Sequence, residues 1–340
     1  MLSGSVGQLR VMSYNVRYFG HPVRGVFSTR RGVRRIAQTI ARMDPLPDLV
    51  CLQEVETRSL RASRTHQTHQ TATQLDALLW GLDAALDGLG KRDRYDAFYF
   101  PAHAYRITAA TSFYTTGLAV LAKRGLSVLA HNAGKPHDIT HRPREVKLKQ
   151  TRICAHVAFE SATGDRVEIF NTHLSLPSFW AKNFWTSPYR LGFGDNQLLE
   201  ARQLVDFIAR ERQSDHYIVA GDFNSLPGSP VDKFLREEHG LRDAFQSLNF
   251  RDESRARQFA TAGFMNLRMH IDHLYASPTV DWVDLEGTHA FGQHGDFDGL
   301  SDHVPLIARF KVNGHTPRKA LVPEIGVGLI IDPTQPPKPA

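Results

Sequence analysis

Six short apolar runs in this 340-residue chain stop at, or start from, a cluster of Asn, Asp, Glu or His, and no other feature limits the fold as much. The clearest is YIVAGDFNSLPGSP, in which Tyr217, Ile218, Val219 and Ala220 lead through a glycine to Asp222 and Asn224 and then into a Pro/Gly turn. VMSYN ends in Asn15, LVCLQE in Gln53 and Glu54, and VEIFNTH in Asn171 and His173. MHIDHLYAS starts from Asp272 and His273, and GLSDHVPL from Ser301, Asp302 and His303. Buried strands that meet polar groups only at their ends place those groups on the rim of a sheet, where ligand sites form. Taken singly, each such residue is an ordinary turn former or cap.

Between these runs the chain alternates β-rich stretches with amphipathic helices. TRRGVRRIAQTIARM sets Val33, Ile36, Ile40 and Met43 at helical spacing between the strands LRVMSY and PDLVCLQ. In TRICAHVAFE, Ile153, Ala155, Val157 and Phe159 share one face, and the turn at Thr163–Asp165 returns the chain as RVEIFNTHLS in an antiparallel hairpin. Helices are expected in LDALLWGLDAALDGL, DNQLLEARQLVDFIARER and GSPVDKFLREE, and further strands in YDAFYF, GLAVLA, LSVLA, IDHLYAS, VDWVDLEGT and VPLIARFKV. This is the pattern of a two-sheet α/β sandwich, one domain over 1–312, followed by a Pro/Gly-rich tail over 313–340.

Cys51 and Cys154 both lie in apolar surroundings and read as reduced core thiols. No stretch has the roughly 18–20 apolar residues of a membrane span, and no signal peptide is evident, so a cytoplasmic protein is expected. The net charge of +6 favours an anionic partner.

If Glu54, Asp222, Asp272 and Asp302 converge, each close carboxylate pair repels by about 4 kcal/mol at 4 Å and an effective dielectric near 20. Protons or a divalent cation must then compensate, and oxygen ligands suit a hard ion such as Mg²⁺ or Mn²⁺. His273 alternates away from Asp272 along its strand, so it and His156 are read as structural.

The blocks SYNVR, LQEVE, NTHLS, GDFNSLPGSP, IDHLYAS and SDHVPL, in this order from Asn15 to His303, resemble the endonuclease/exonuclease/phosphatase (DNase I-like) superfamily. The resemblance is nearest to its deadenylase-like and general bacterial nuclease members. It implies an α/β (α+β) four-layer sandwich, two mainly antiparallel β-sheets flanked by helices, and a Mg²⁺-dependent phosphodiesterase; a nuclease on DNA or RNA is the leading expectation. It also implies roles: Glu54 as principal metal ligand with Asn15 and Asp302, and Asp222 as the group that positions or deprotonates the attacking water. Asn224 would orient that water and the phosphate, while His173 and His303, the latter held by Asp272, would bond the phosphate oxygens.

Substrate class stays open at this point, with nucleic acid ahead of a phospholipid or a sugar phosphate, and a non-catalytic nucleic-acid scaffold behind both. The inositol-phosphatase form of GDLN followed by arginine is absent. PSFWAKNFWTSPYRLGFGD follows His173 closely and offers Trp180, Trp185 and Arg190, with Asn171, as substrate-binding candidates through stacking and charge, or an apolar wedge for a membrane surface. The arginine-rich segment Arg24–Arg42 could track a phosphate backbone or form a solvated helix face.

Overall fold

The computed structural model describes residues 7–17, 29–55, 73–106, 112–141, 150–176, 192–248, 259–264, 267–286 and 295–313. Trp180, Trp185 and Arg190, and all but the first residue of the expected tail, lie outside the described residues. The order of elements is β1 (Gln8–Asn15), α1 (Thr29–Arg42), β2 (Leu49–Val55), α2 (Gln74–Gly88), β3 (Tyr95–Arg106), β4 (Ser112–Lys123), β5 (Ser127–His131) and β6 (His137–Asp138). There follow β7 (Ile153–Glu160), β8 (Arg166–His173), α3 (Asp195–Glu211), β9 (Tyr217–Asp222) and α4 (Pro230–Lys233), which continues as a π-helical turn, Phe234–Glu238. The chain then runs through β10 (Arg242–Asp243), α5 (Ala244–Ser247), β11 (Ala262–Phe264), β12 (Leu267–Met269), β13 (Asp272–Ala276), β14 (Val280–Glu286) and β15 (Leu306–Val312).

One sheet runs β14-β15-β1-β2-β4-β3 and the second β10-β13-β9-β8-β7-β5, with β6 on β7; β11 and β12 form a small hairpin. Most neighbours are antiparallel, but each large sheet contains one parallel pair, β1 with β2 and β8 with β9. Parallel neighbours need a crossover, and α1 and α3 supply it.

Three apolar layers hold the sandwich together. Val11, Cys51 and Val120 of one sheet meet Val157, Ile169, Ile218 and Leu274 of the other, all fully buried. The opposite face of the first sheet packs Met12, Tyr14, Val50 and Leu52 under Ile36 and Ile40 of α1 and Leu78 and Leu82 of α2. The far face of the second packs Phe170 and Val219 under Leu204, Phe207 and Ile208 of α3. Helix, sheet, sheet, helix is therefore dictated by strands that are apolar on both faces, and each fully buried Val, Leu or Ile contributes about 1.5–3 kcal/mol. Both cysteines are free and buried, and burial pushes both thiols up, which leaves them unreactive.

The crossovers also place the chemistry. The C-terminal ends of β1, β2, β8 and β9 carry Asn15, Glu54, His173 and Asp222, and parallel pairing brings each pair to the same end of its sheet. β13 runs antiparallel to β9 with Asp272 opposite Asp222, so the start of one strand meets the end of the other.

Candidate active site

Asp222 is the hub of the rim. Its Oδ1 accepts the backbone N–H of Asn224 at 2.9 Å and its Oδ2 accepts the Asn15 amide at 2.9 Å. The Nε2 atoms of His173 and His303 stand 3.6 and 3.7 Å from the same Oδ2. Asp272 binds the other side of His303, Oδ2 to Nδ1 at 2.8 Å, and fixes which ring nitrogen faces Asp222. Glu54 lies on the opposite flank, with Oε1 3.5 Å from the Asn15 amide and 4.0 Å from His173 Nε2. A bulge in β2, where pairing with β4 shifts between Leu52 and Val55, turns Glu54 outward at φ +56°.

Burial separates the two imidazoles. Desolvation, reinforced by Arg152 and His303, holds His173 well below the usual histidine range, so it is neutral. His303 is equally buried, but the carboxylates of Asp272 and Asp222 overcome desolvation and push it up to about 10, so it is a cation. Desolvation and the neighbouring Asp272 push Asp222 up to about 7. Burial also raises Glu54. Titratable groups driven apart in this way are the signature of divided acid and base roles.

Ligand atoms of Asp222, Asp272 and His303 lie within 4.8 Å of one another. One of the two carboxylate charges in that cluster is compensated from within, because the His303 imidazolium stands between Asp272 and Asp222. Glu54 has no such partner: its nearest imidazole is the neutral His173, and the Asn15 amide reaches it only at 3.5 Å. A half-buried carboxylate beside the Asn15 amide, with no cation in contact among the described residues, fits a hard divalent ion. Glu54 and Asn15 are the residues that would hold it.

Asp302, expected among the metal ligands, forms an ion pair with Arg17 and orients beside Ser301, whose hydroxyl donates to the Asn15 carbonyl at 2.8 Å. Asn171, expected to bind substrate, lies deeper. It is fully buried between the sheets, donating to the carbonyls of Leu52 and Ala119 and accepting from Gln53 at 2.8 Å, so it ties the sheets together and does not face substrate. The Asn224 amide donates to the Leu174 carbonyl at 2.9 Å, which locks the end of β8 to the exit of β9. His273 is structural as expected: fully buried, it donates to Asp243 at 3.1 Å and to the Ser225 carbonyl at 2.8 Å. His156 is likewise tied to Glu168 at 2.8 Å.

Four supporting residues escaped the sequence reading. Gln197 of α3 donates to the Asn224 carbonyl at 2.7 Å and accepts the Gly192 N–H at 3.1 Å. Glu200, one turn on, accepts both the N–H and the hydroxyl of Ser175, two residues past His173. The Thr261 hydroxyl accepts the N–H groups of Ile271 and Asp272, and Arg152 donates weakly to the Ser175 hydroxyl while its charge acts on Glu54 and His173. A signal existed for the first two, since Gln197 and Glu200 share the buried face of α3 with Ala201, Leu204 and Ile208. Gln197→Glu sets a carboxylate oxygen against the Asn224 carbonyl. It is expected to destabilise the fold by about 1–3 kcal/mol in denaturant melts, whereas Gln197→Ala in the same range but Gln197→Glu unchanged would contradict the contact.

The comparisons agree with this fold. No curated protein matches the chain in sequence. Among solved structures, an endonuclease/exonuclease/phosphatase from Beutenbergia cavernae DSM 12333 aligns at TM-score 0.60 and 18% identity over 91% of this chain and 72% of that one. The human Nocturnin catalytic domain with bound sulfate aligns at 0.58 and 18% over 90% and 94%. ANGEL2, a 2',3'-cyclic phosphatase, in complex with adenosine-2',3'-vanadate aligns at 0.60 and 19% over 91% and 96%. At such identities the likeness is one of fold. The model of the Endonuclease/Exonuclease/phosphatase family matches residues 12–303, from β1 to the last histidine of the rim, and the chain belongs to that family.

Proposed function

We propose that the protein is a divalent-metal-dependent phosphodiester hydrolase acting on nucleic acid by in-line attack of water. The observation that carries this reading is the environment of Asp222, a buried carboxylate fixed by Asn15 and Asn224 and set between a neutral and a cationic imidazole. Phosphoryl transfer needs a positioned nucleophile and neutralisation of the phosphate oxygens rather than covalent catalysis. Family membership supports phosphoester hydrolysis, and the sulfate and vanadate bound by two structural neighbours support an oxyanion in the site.

In this mechanism Asp222 takes the proton of the attacking water through Oδ2, while the Asn15 amide and the Asn224 N–H keep its carboxylate in place. His303, held as a cation by Asp272, donates from Nε2 to a phosphate oxygen as charge builds there. His173 supplies a neutral N–H to the same group without repelling His303. Glu54 and Asn15 would hold a divalent ion, which would supply the remaining positive charge.

The test is a panel of single- and double-stranded DNA and RNA, sphingomyelin vesicles and inositol phosphates, each with Mg²⁺, Mn²⁺ or chelator. Ion-dependent cleavage of an oligonucleotide is expected; preference for the lipid or the sugar phosphate replaces the substrate, and no hydrolysis of anything rejects the reading. A second readout needs no turnover. Asp222 and Glu54 are raised above their unfolded values, so rising pH ionises them in the unfolded chain first and erodes stability above about pH 4, up to about 7 for Asp222. A cation bound to the folded state reverses that loss, so Mg²⁺ or Mn²⁺ should raise Tm more at pH 8 than at pH 5. Equal or absent shifts at the two pH values count against metal binding at Glu54.

A further inference from the structure

The solvent face of α1 carries a stripe of cations without counter-ions among the described residues. TRRGVRRIAQTIAR contains no Asp or Glu, and at helical periodicity Arg31, Arg35, Gln38 and Arg42 fall on one line with Arg34 beside it. Val33, Ile36, Ala37 and Ile40 take the opposite face and are buried against the sheet. The four arginines are exposed, and none has an ion pair or side-chain hydrogen bond among the described residues. The acids on neighbouring α2 do not serve them, because Asp83 and Asp87 are both taken by Arg94 and Asp76 is bonded to Thr73 at the helix start.

Local helix physics opposes this arrangement. Arg31 lies in the first turn, near the positive end of the helix dipole, and Arg31 and Arg35 repel across one turn. A face that had only to be wet would mix both signs. The direction of the stripe is set by topology: β1 and β2 are parallel, so α1 runs antiparallel to them. Its Arg31 end therefore lies toward the strand ends that carry Asn15 and Glu54, and its Arg42 end points away from them. From Arg31 to Arg42 the stripe is about 16 Å long, on the order of five phosphate steps along one strand of a duplex.

We propose that this ridge is an accessory docking surface for the sugar–phosphate backbone of a nucleic acid, leading it toward the rim. The inference rests on the phosphodiesterase reading for its purpose, while its chemistry stands on the ridge alone. Contacts of this kind are to backbone charge and carry no base specificity.

The experiment is fluorescence anisotropy of a labelled single-stranded oligonucleotide over a salt series, in the Asp222→Asn background with Mg²⁺. The chain is compared with one that also carries Arg31→Gln, Arg35→Gln and Arg42→Gln, and with the matching triple Arg→Lys chain. The Gln chain should bind about tenfold more weakly or worse, with the slope of log K against log salt reduced by about 2; the Lys chain should keep both. Gln favours helix, so the melting midpoint should hold or rise. Turnover of a small phosphodiester by the same triple Gln substitution in the otherwise unaltered chain should not change. Unchanged oligonucleotide affinity and slope overturn the ridge, as does a loss seen only with anionic phosphatidylserine vesicles, which makes the face a membrane contact. Ridge-dependent binding by a chain that hydrolyses no phosphoester keeps the ridge and refutes the phosphodiesterase; hydrolysis with ridge-independent binding does the reverse.

Discussion

Asp222→Asn lowers kcat for a generic phosphodiester by about 10²–10⁴-fold, the range that a positioned general base supplies, while the chain remains folded. The substitution keeps an oxygen for the Asn224 N–H and deletes the basic site at Oδ2, together with the acceptor of the Asn15 amide. It also removes a charge whose burial opposes folding, so the melting midpoint at pH 8 without divalent ion should hold or rise. The pH dependence of the unaltered enzyme follows from the same groups. Activity in kcat/KM should climb as Asp222 gives up its proton near 7 and fall as His303 loses its own near 10. Increasing divalent ion should draw the acid limb to lower pH, because a nearby cation favours the carboxylate. The stability term of His303 has the opposite sense to that of Asp222: raised above its unfolded value, it is fully present below about 6.5 and disappears as pH passes about 10. Retention of full turnover by Asp222→Asn, measured under saturating Mg²⁺, removes Asp222 from the reaction.

Asp232→Ala is expected to be the most damaging single change to stability outside the rim, at about 3–5 kcal/mol in denaturant melts. Asp232 is fully buried beneath the turn that follows Asn224. Its carboxylate accepts from the Tyr275 hydroxyl at 2.9 Å, the Gly228 N–H at 2.7 Å, the Gln246 amide at 3.2 Å and the Arg236 guanidinium at 3.1 Å. Alanine strands every one of these donors in a dry site. Gly228 lies in the segment that carries Asn224, so kcat should fall with stability rather than independently of it. Asp232→Asn retains some acceptors and should lie between the two; an Asp232→Ala loss below about 1 kcal/mol would show that water replaces the network.

The rim and the sandwich were legible in the sequence to different depths and for different reasons. Alternation made the β7–β8 hairpin plain, and apolar strands joined by amphipathic helices made both crossovers plain, because burial on two faces leaves a long signature. The residues at strand ends were found because polarity changes abruptly there. Asn171 was misplaced by the same logic: it shares a face with His173, two residues on, but lies about 7 Å deeper along the strand, between the sheets and not at the rim. Gln197, Glu200 and Asp232 were overlooked because a polar residue on a helix reads as solvent-facing until its partners are known. Those partners, Asn224, Ser175 and Tyr275, are remote in sequence and adjacent only in the fold. The hairpin β11–β12, with Thr261 just before it anchoring Asp272, has strands too short to show any period.

The bulge that turns Glu54 outward has a consequence for how such a protein can change over time. At φ +56° a glycine would sit without steric penalty, whereas a glutamate is held there against a preference of about 1–2 kcal/mol. Its half-dry carboxylate adds to the burden. Drift toward a hardier molecule would therefore erase Glu54 early, and the shortest route to thermal robustness runs through loss of the very side chain proposed here to hold the ion. Heat-tolerant descendants that still work must have gained their resilience elsewhere, in the sandwich interior or beneath α3.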